Sequence, residues 1–302
     1  MEHTVLESIT SCAICGASPL QPVLRARDHT VSQETFTIAE CPDCKAWFTN
    51  PRPDQNSIGS YYRSNSYISH TNASATFQDK LYQVVRRRAL EAKRKLISRY
   101  RPNGRLLDVG CGTGQFIGHM KAHGYLVTGV EPDTGARGQA IADQAAEVLP
   151  NLDQIPSAEQ FHVVTMWHVL EHVPDLRRTL KKLYSVMADR GFLFIAVPDR
   201  ESWDATHYGS DWAALDVPRH LNHLRRSDMN RLFQEHGFAL KAVRPMWFDA
   251  PYISMLTEQH RGAGPITALL KGTLVGAWSN LLALASDRPT SSSLYIAQKQ
   301  EP

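Results

Sequence analysis

The sequence has little surplus of charge: 33 Lys and Arg stand against 30 Asp and Glu, a net of +3 over 302 residues. That balance excludes a chain whose whole surface is built to coat nucleic acid or an anionic membrane, so any such contact would need a local patch. Internal repeats and low-complexity tracts are absent, which removes repeat arrays and biased linkers from consideration. The opening MEHTVLESITSC has no basic leader followed by an apolar run, so no signal or transit peptide is expected and a cytoplasmic location is the default. What remains, 42% hydrophobic and 21% charged, is the composition of an ordinary globular protein. Its length suits one α/β domain plus a smaller module.

Cysteine is scarce, yet four of the five fall in two Cys-x-x-Cys pairs, Cys12 with Cys15 and Cys41 with Cys44. In a reducing compartment that spacing points to metal rather than disulfides. Four thiolates close a tetrahedral shell around one Zn²⁺ and leave no position for water or substrate, so the ion would be structural. About fifty residues bury too little to fold without such a staple. A redox pair would instead open a helix in a βαβ unit, and neither pair does. Asn50-Pro51-Arg52-Pro53 resists helix and closes the module, giving a zinc-ribbon-like unit over 1–53.

A helical linker, 54–101, follows. Its helix is expected at 75–101, with apolar Leu81, Val84, Val85, Ala89, Ala92, Leu96, Ile97 and Tyr100 at three- and four-residue steps. Arg86, Arg87, Arg88, Lys93, Arg94, Lys95 and Arg99 make the other face basic and suit a solvated surface. From 102 to 302 strands alternate with helices in the manner of a doubly wound Rossmann-like sheet. Seven strands are expected at 105–109, 126–130, 146–149, 161–167, 191–197, 238–244 and 294–298, with helices such as 115–123 and 175–188 between them. Insertions are expected near 200–230 and 245–293.

The segment Leu106-Leu107-Asp108-Val109-Gly110-Cys111-Gly112-Thr113-Gly114 runs an apolar strand into a glycine-rich turn that opens a helix. Such a turn lets backbone approach a ligand. A second strand ends in Val130-Glu131-Pro132-Asp133, where an acid can accept both hydroxyls of a ribose. With HVVTMWHVLEHVPD and GFLFIAVPD further on, these motifs resemble the class I S-adenosylmethionine-dependent methyltransferase family, in its ubiquinone-type and small-molecule branch, over roughly 104–244. The resemblance implies S-adenosylmethionine as cofactor. It would place Asp108, Gly110, Cys111, Gly112 and Gly114 at the methionine moiety, Glu131 and Pro132 at the ribose, Asn151 and Leu152 at the adenine, and Trp167 and His168 on the far side. Many relatives carry Asp in the adenine loop, where this chain has Asn151 and Leu152. Cys111 itself suits a small apolar spot in the turn. The run from Trp47 to Pro53, with Tyr61, Tyr62 and Tyr67, resembles the tail of zinc ribbons fused to methyltransferases of sugar and natural-product pathways.

In doubly wound sheets the loops at the strand carboxyl ends cover the site. His168-Val169-Leu170-Glu171-His172 matches a zinc-protease pattern but follows a buried strand and precedes Pro174, outside any long helix, so that reading is set aside. Glu171 and His172 are instead candidates for Mg²⁺, because some relatives bind a divalent cation there, or for loop hydrogen bonds. After the fifth strand, Trp212, Asp216 and Arg219 are candidate substrate contacts, and His220, then His223, candidate bases.

The sequence thus favours methylation of a small acceptor such as a sugar, glycan precursor or natural-product intermediate, at oxygen, nitrogen or carbon. The alternative is an RNA methyltransferase gripping phosphates with the zinc module and basic helix; no DNA partner is expected. Residues 266–285 read as an apolar, amphipathic helix that packs on a lid, a second subunit or a membrane surface.

Overall fold

The computed structural model describes residues 5–62, 77–156 and 158–301. Tyr67 and the side chains of Leu81, Val84 and Val85 lie outside the described residues. The N-terminal module has strands β1 (Leu6–Glu7), β2 (Gln21–Arg27), β3 (Thr35–Glu40), β4 (Trp47–Thr49) and β5 (Arg52–Pro53). Of these, β2, β3 and β4 form an antiparallel meander. Helix α1 (Phe77–Tyr100) follows and leads to Gly104, whose φ of 122° is open to glycine.

Chain order then gives β6 (Gly104–Val109), α2 (Gln115–Lys121), β7 (Tyr125–Val130), α3 (Thr134–Gln144), β8 (Glu147–Leu149) and β9 (Phe161–Trp167). After these come α4 (Leu176–Val186), β10 (Met187–Pro198), α5 (Trp203–Tyr208), β11 (Asn222–His223), α6 (Arg226–Glu235) and β12 (Phe238–Pro245). The chain ends with α7 (Asp249–His260), α8 (Pro265–Ala285) and β13 (Ser292–Lys299). Seven strands make one sheet in the order β12-β13-β10-β9-β6-β7-β8, parallel from β8 through β10, with β13 antiparallel to both its neighbours. The order reverses between β6 and β9, so a crevice opens at their carboxyl ends, where such sheets bind ligands.

All seven expected strands are present within a few residues. The fourth helix stops short of its expected end because Met187, buried in the core, pairs with Phe161 and starts β10 instead. The stretch expected to hold one helix before the last strand holds two. Helix α7 escaped the pattern because its buried face includes Ser254, Thr257 and Glu258.

Two contacts tie the N-terminal module to the rest. The insertion strand β11 completes the module's sheet, pairing Asn222 with Phe48 and His223 with Trp47. Cys12, Ile14, Cys41, Ala46 and Phe48 also share one apolar cluster with Leu107, Val164 and Ile195 of the large sheet. The module is thus continuous with the main core.

Candidate active site

Strand β6 ends at Val109 and turns through Gly110, Gly112 and Gly114, with φ of 71°, 54° and 79°. A Cβ at Gly110 would lie 2.4 Å from Val169 Cγ2, and one at Gly114 would lie 2.9 Å from Ala140 Cβ, whereas one at Gly112 would face open space. Two glycines therefore serve close packing, and the third presents bare backbone to the crevice. Cys111 fills an apolar spot with Ile117, Ala140 and Val148, as its type suggests. The Glu131 carboxylate braces this loop, accepting the Gly112 N–H at 2.8 Å and the Asp133 N–H at 2.9 Å. Arg137 fixes the next turn by donating to the carbonyls of Glu131 and Pro132. Across β8, Asn151 caps a short helical turn that begins at Leu152, its Oδ1 accepting the Gln154 N–H.

Asp108 lies deeper, 2% exposed, and accepts the Thr165 hydroxyl at 2.5 Å. Burial pushes its carboxyl up to about 7. The compensating cation comes from α1: Lys93 Nζ sits 4.0 Å from the Trp167 ring centroid and 5.9 Å from that of Phe116, in the field of Asp108 and Asp249. Lys93 does not share the solvated face expected for the helix cations. Its position, four residues from Ala89 and Ile97 and three from Leu96, falls on the apolar stripe, a signal present in the sequence but not used.

At the carboxyl end of β9, His168 adopts φ 57°. Its ring bridges two acids, with Nδ1 3.4 Å from Glu171 Oε1 and Nε2 3.2 Å from Asp249 Oδ2. Burial alone would lower the ring's pKa, but the two carboxylates hold its proton and raise it to about 10. Asp249, the first residue of α7, is a site residue the sequence did not reveal, since it comes from the insertion some eighty residues away. Behind this pair, Glu171, His172 and His220 bring one ligand atom each to within 4.8 Å of one another. His172 Nδ1 lies 3.0 Å from the Arg219 carbonyl and 2.9 Å from the Tyr62 hydroxyl, and His220 Nδ1 lies 2.8 Å from the Ala214 carbonyl. Imidazoles steadied in this way could hold a cation together with Glu171. His220 thus joins the cation candidates Glu171 and His172.

Three expected substrate contacts are structural. Arg219 is 1% exposed, bound to Asp28 at 3.0 Å and to both oxygens of Asp216 at 3.0 and 2.6 Å, so neither it nor Asp216 is free for an acceptor. Trp212 is buried and donates to Asp204 at 2.8 Å. His223 is a poor reserve base: burial drives its pKa down to about 3, and Nε2 lies 3.1 Å from the Thr49 hydroxyl. His223→Ala should cost about 1–3 kcal/mol of stability by removing a buried ring and its bond to the Thr49 hydroxyl, which keeps its own bond to the His220 carbonyl at 2.6 Å. Turnover per folded molecule should stay unchanged. Thermal melts set beside initial rates check both.

The four paired cysteines converge through two like turns, closed by Gly16 N–H to the Cys12 carbonyl at 2.8 Å and Lys45 N–H to the Cys41 carbonyl at 3.0 Å. Gly16 and Lys45, with φ of 83° and 62°, permit them. Cys12 and Cys44 sulfurs stand 3.5 Å apart, and Cys15 and Cys41 sulfurs 3.3 Å. Zinc–sulfur bonds of about 2.3 Å in a tetrahedron need sulfurs somewhat under ~4 Å apart, so the donor set fits Zn²⁺.

A methyltransferase-domain family model matches residues 82–243, more than half of the sequence. The chain belongs to that family. It is 31% identical over 134 residues to a ubiquinone biosynthesis O-methyltransferase of Erwinia tasmaniensis, covering 40% of this chain and 54% of that one. It is also 26% identical over 183 residues to the protein of that name from Idiomarina loihiensis, covering 55% and 74%. The chain thus spans about half the length of the first relative. Among solved structures it resembles magnesium protoporphyrin IX methyltransferase from Synechocystis PCC 6803 with bound SAH, with a TM-score of 0.53 and 13% identity over 82% of this chain and 100% of that one. At that identity the likeness is one of fold.

Proposed function

We propose that the protein moves a methyl group from S-adenosylmethionine to an oxygen of a small organic acceptor, with one structural Zn²⁺ held by Cys12, Cys15, Cys41 and Cys44. The observation that carries the reading is the juxtaposition of the glycine loop and Glu131 with the Glu171–His168–Asp249 bridge at the carboxyl ends of β6 and β9. The loop and Glu131 suit the ribose and methionine of the donor, and Lys93 offers a cation to the methionine carboxylate. Displacement at a sulfonium asks the protein for alignment and dehydration and, with an oxygen nucleophile, for a place to put one proton. Asp249, the more exposed of the two carboxylates beside His168, can orient the acceptor hydroxyl and take that proton. Oxygen and a small acceptor are favoured by the names of the relatives, ubiquinone biosynthesis O-methyltransferases.

Methyl transfer from isotopically labelled donor to a panel of hydroxylated aromatic and sugar acceptors tests the reading. Asp249→Asn should lower kcat by about 10²–10⁴ while leaving donor affinity intact. Failure of the parent protein to bind S-adenosylhomocysteine would overturn it. Glu131→Ala should weaken donor binding in calorimetry by a few kcal/mol at most, since two charge-assisted hydrogen bonds of about 1.5–3 kcal/mol each are lost.

A further inference from the structure

Helix α8 is turned inside out for a protein in water. It packs on the body through Ala268, Gly272, Gly276 and Ser279, and leaves Ile266, Leu269, Leu270, Leu274, Trp278, Leu281 and Leu284 exposed, Leu274 by 71%. The glycines are required by contact: a Cβ at Gly272 would lie 2.4 Å from the Met255 backbone and one at Gly276 2.3 Å from that of Pro251. A helix held to its neighbour by water would bury the leucines and expose the glycines. Small residues inward with large apolar residues outward is how helices pack when their surroundings are themselves apolar.

The same register runs α8 antiparallel to α7, and Asn280 donates to the Trp247 carbonyl at 2.7 Å. That brings Trp247 and Phe248, the latter 88% exposed, and Tyr252 to the end of α8 that carries Trp278. Large rings with an apolar body and, in Trp and Tyr, a polar tip suit the boundary between headgroups and acyl chains. From Pro265 to Ala285 the one ionisable side chain is Lys271, whose Nζ lies 3.7 Å from the Glu258 carboxylate, so this face presents little net charge. At 21 residues the helix is long and apolar enough to cross a bilayer. It is bolted along its length, however, with Ser279 donating to Asp204 at 2.7 Å and both glycines on α7, which holds it parallel to the protein surface.

We infer that the outer face of the α7–α8 hairpin is a docking surface for a phospholipid bilayer, with α8 lying in the plane of the interface. Full-length protein is mixed with vesicles of phosphatidylcholine alone or with an equal part of phosphatidylglycerol, floated on a density gradient, and followed by tryptophan emission. Flotation with both compositions and a blue shift are expected, with little difference between them because Lys271 is paired with Glu258. Leu274→Glu combined with Leu281→Glu should lower the partition coefficient by about a hundredfold or more, because two large side chains no longer enter the apolar layer. Both positions are exposed, so zinc content and melting temperature serve as folding controls, and Trp278→Ala should weaken flotation without adding charge. Failure of the parent protein to float overturns the inference. So does a vesicle-free dimer by light scattering that Leu274→Glu converts to monomer, which would assign the face to a second copy.

Discussion

Stripping the metal from the four-thiolate site, or Cys41→Ser, is expected to unfold far more than residues 1–53. The cysteine spacing suggests a separable module, whereas the packing ties it to the whole. Cys12, Cys41 and Phe48 sit in the cluster that contains Leu107 and Ile195, and β11 of the insertion is an edge strand of the module's own sheet. Both cysteine turns are also gripped from outside. Arg177 donates to the carbonyls of Ala13 and Ile14 at 2.9 and 2.6 Å, Arg200 to that of Lys45, and Arg225 to that of Cys44. Structural zinc contributes about 10–16 kcal/mol in small peptides, and a whole domain is stable by about 5–15 kcal/mol. Losing the ion therefore threatens the entire fold. Dialysis against a strong chelator, followed by calorimetric scans and titration with S-adenosylhomocysteine, should show the unfolding transition and cofactor binding lost together. A stripped protein that keeps one transition and still binds cofactor would show that the module stands apart. Metal analysis of the untreated protein should give about one zinc per chain.

What the sequence made legible were features set by local rules. Strand β9 was readable to the residue because 161–167 is a short, β-branched apolar run, and the glycine loop because its left-handed positions admit little but glycine. The cysteine turns were readable from spacing alone. The site's second half was not, because it is assembled across long separations. Asp249 reaches His168 from an insertion, and Lys93 reaches Trp167 from the helix ahead of the domain. A dense polar loop also misleads. Trp212, Asp216, Arg219 and His223 look like a substrate grip in sequence, yet a buried polar network and a substrate grip draw on the same residue types, and burial is what separates them. Hydrophobic periodicity located α8 but could not say which side faced in, since apolar residues occur all round it; the contacts of Gly272 and Gly276 decide that.

Arg219→Met should cost about 3–5 kcal/mol, a sizeable part of the stability of a domain, because it removes one partner of a buried ion pair and leaves the other charge behind. Arg219 links the N-terminal module to the insertion: Nη2 reaches Asp28, Nε and Nη2 reach Asp216, and Nη1 donates to the Tyr61 carbonyl at 3.0 Å. Asp28 would keep the N–H groups of Thr30, Val31 and Ser32 but lose its counter-charge. Arg219→Lys should recover only part of the loss, since an ammonium cannot span both carboxylates as a planar fork does. The pH dependence has a definite sign. Burial pushes both carboxyls up, but for Asp28 the Ser32 N–H and Arg219, and for Asp216 the hydrogen bonds from Arg219, outweigh it and leave both below the ordinary 3.8. A depressed folded-state pKa contributes stability above the unfolded value and loses it as the pH falls through the folded one. The parent protein should therefore lose this contribution in acid below about pH 4, while the Met variant has already lost it. Urea midpoints of the two proteins should differ most near neutrality and draw together towards pH ~3. A gap that stays constant across that range would mean that Arg219 acts through its packing and not through its charge.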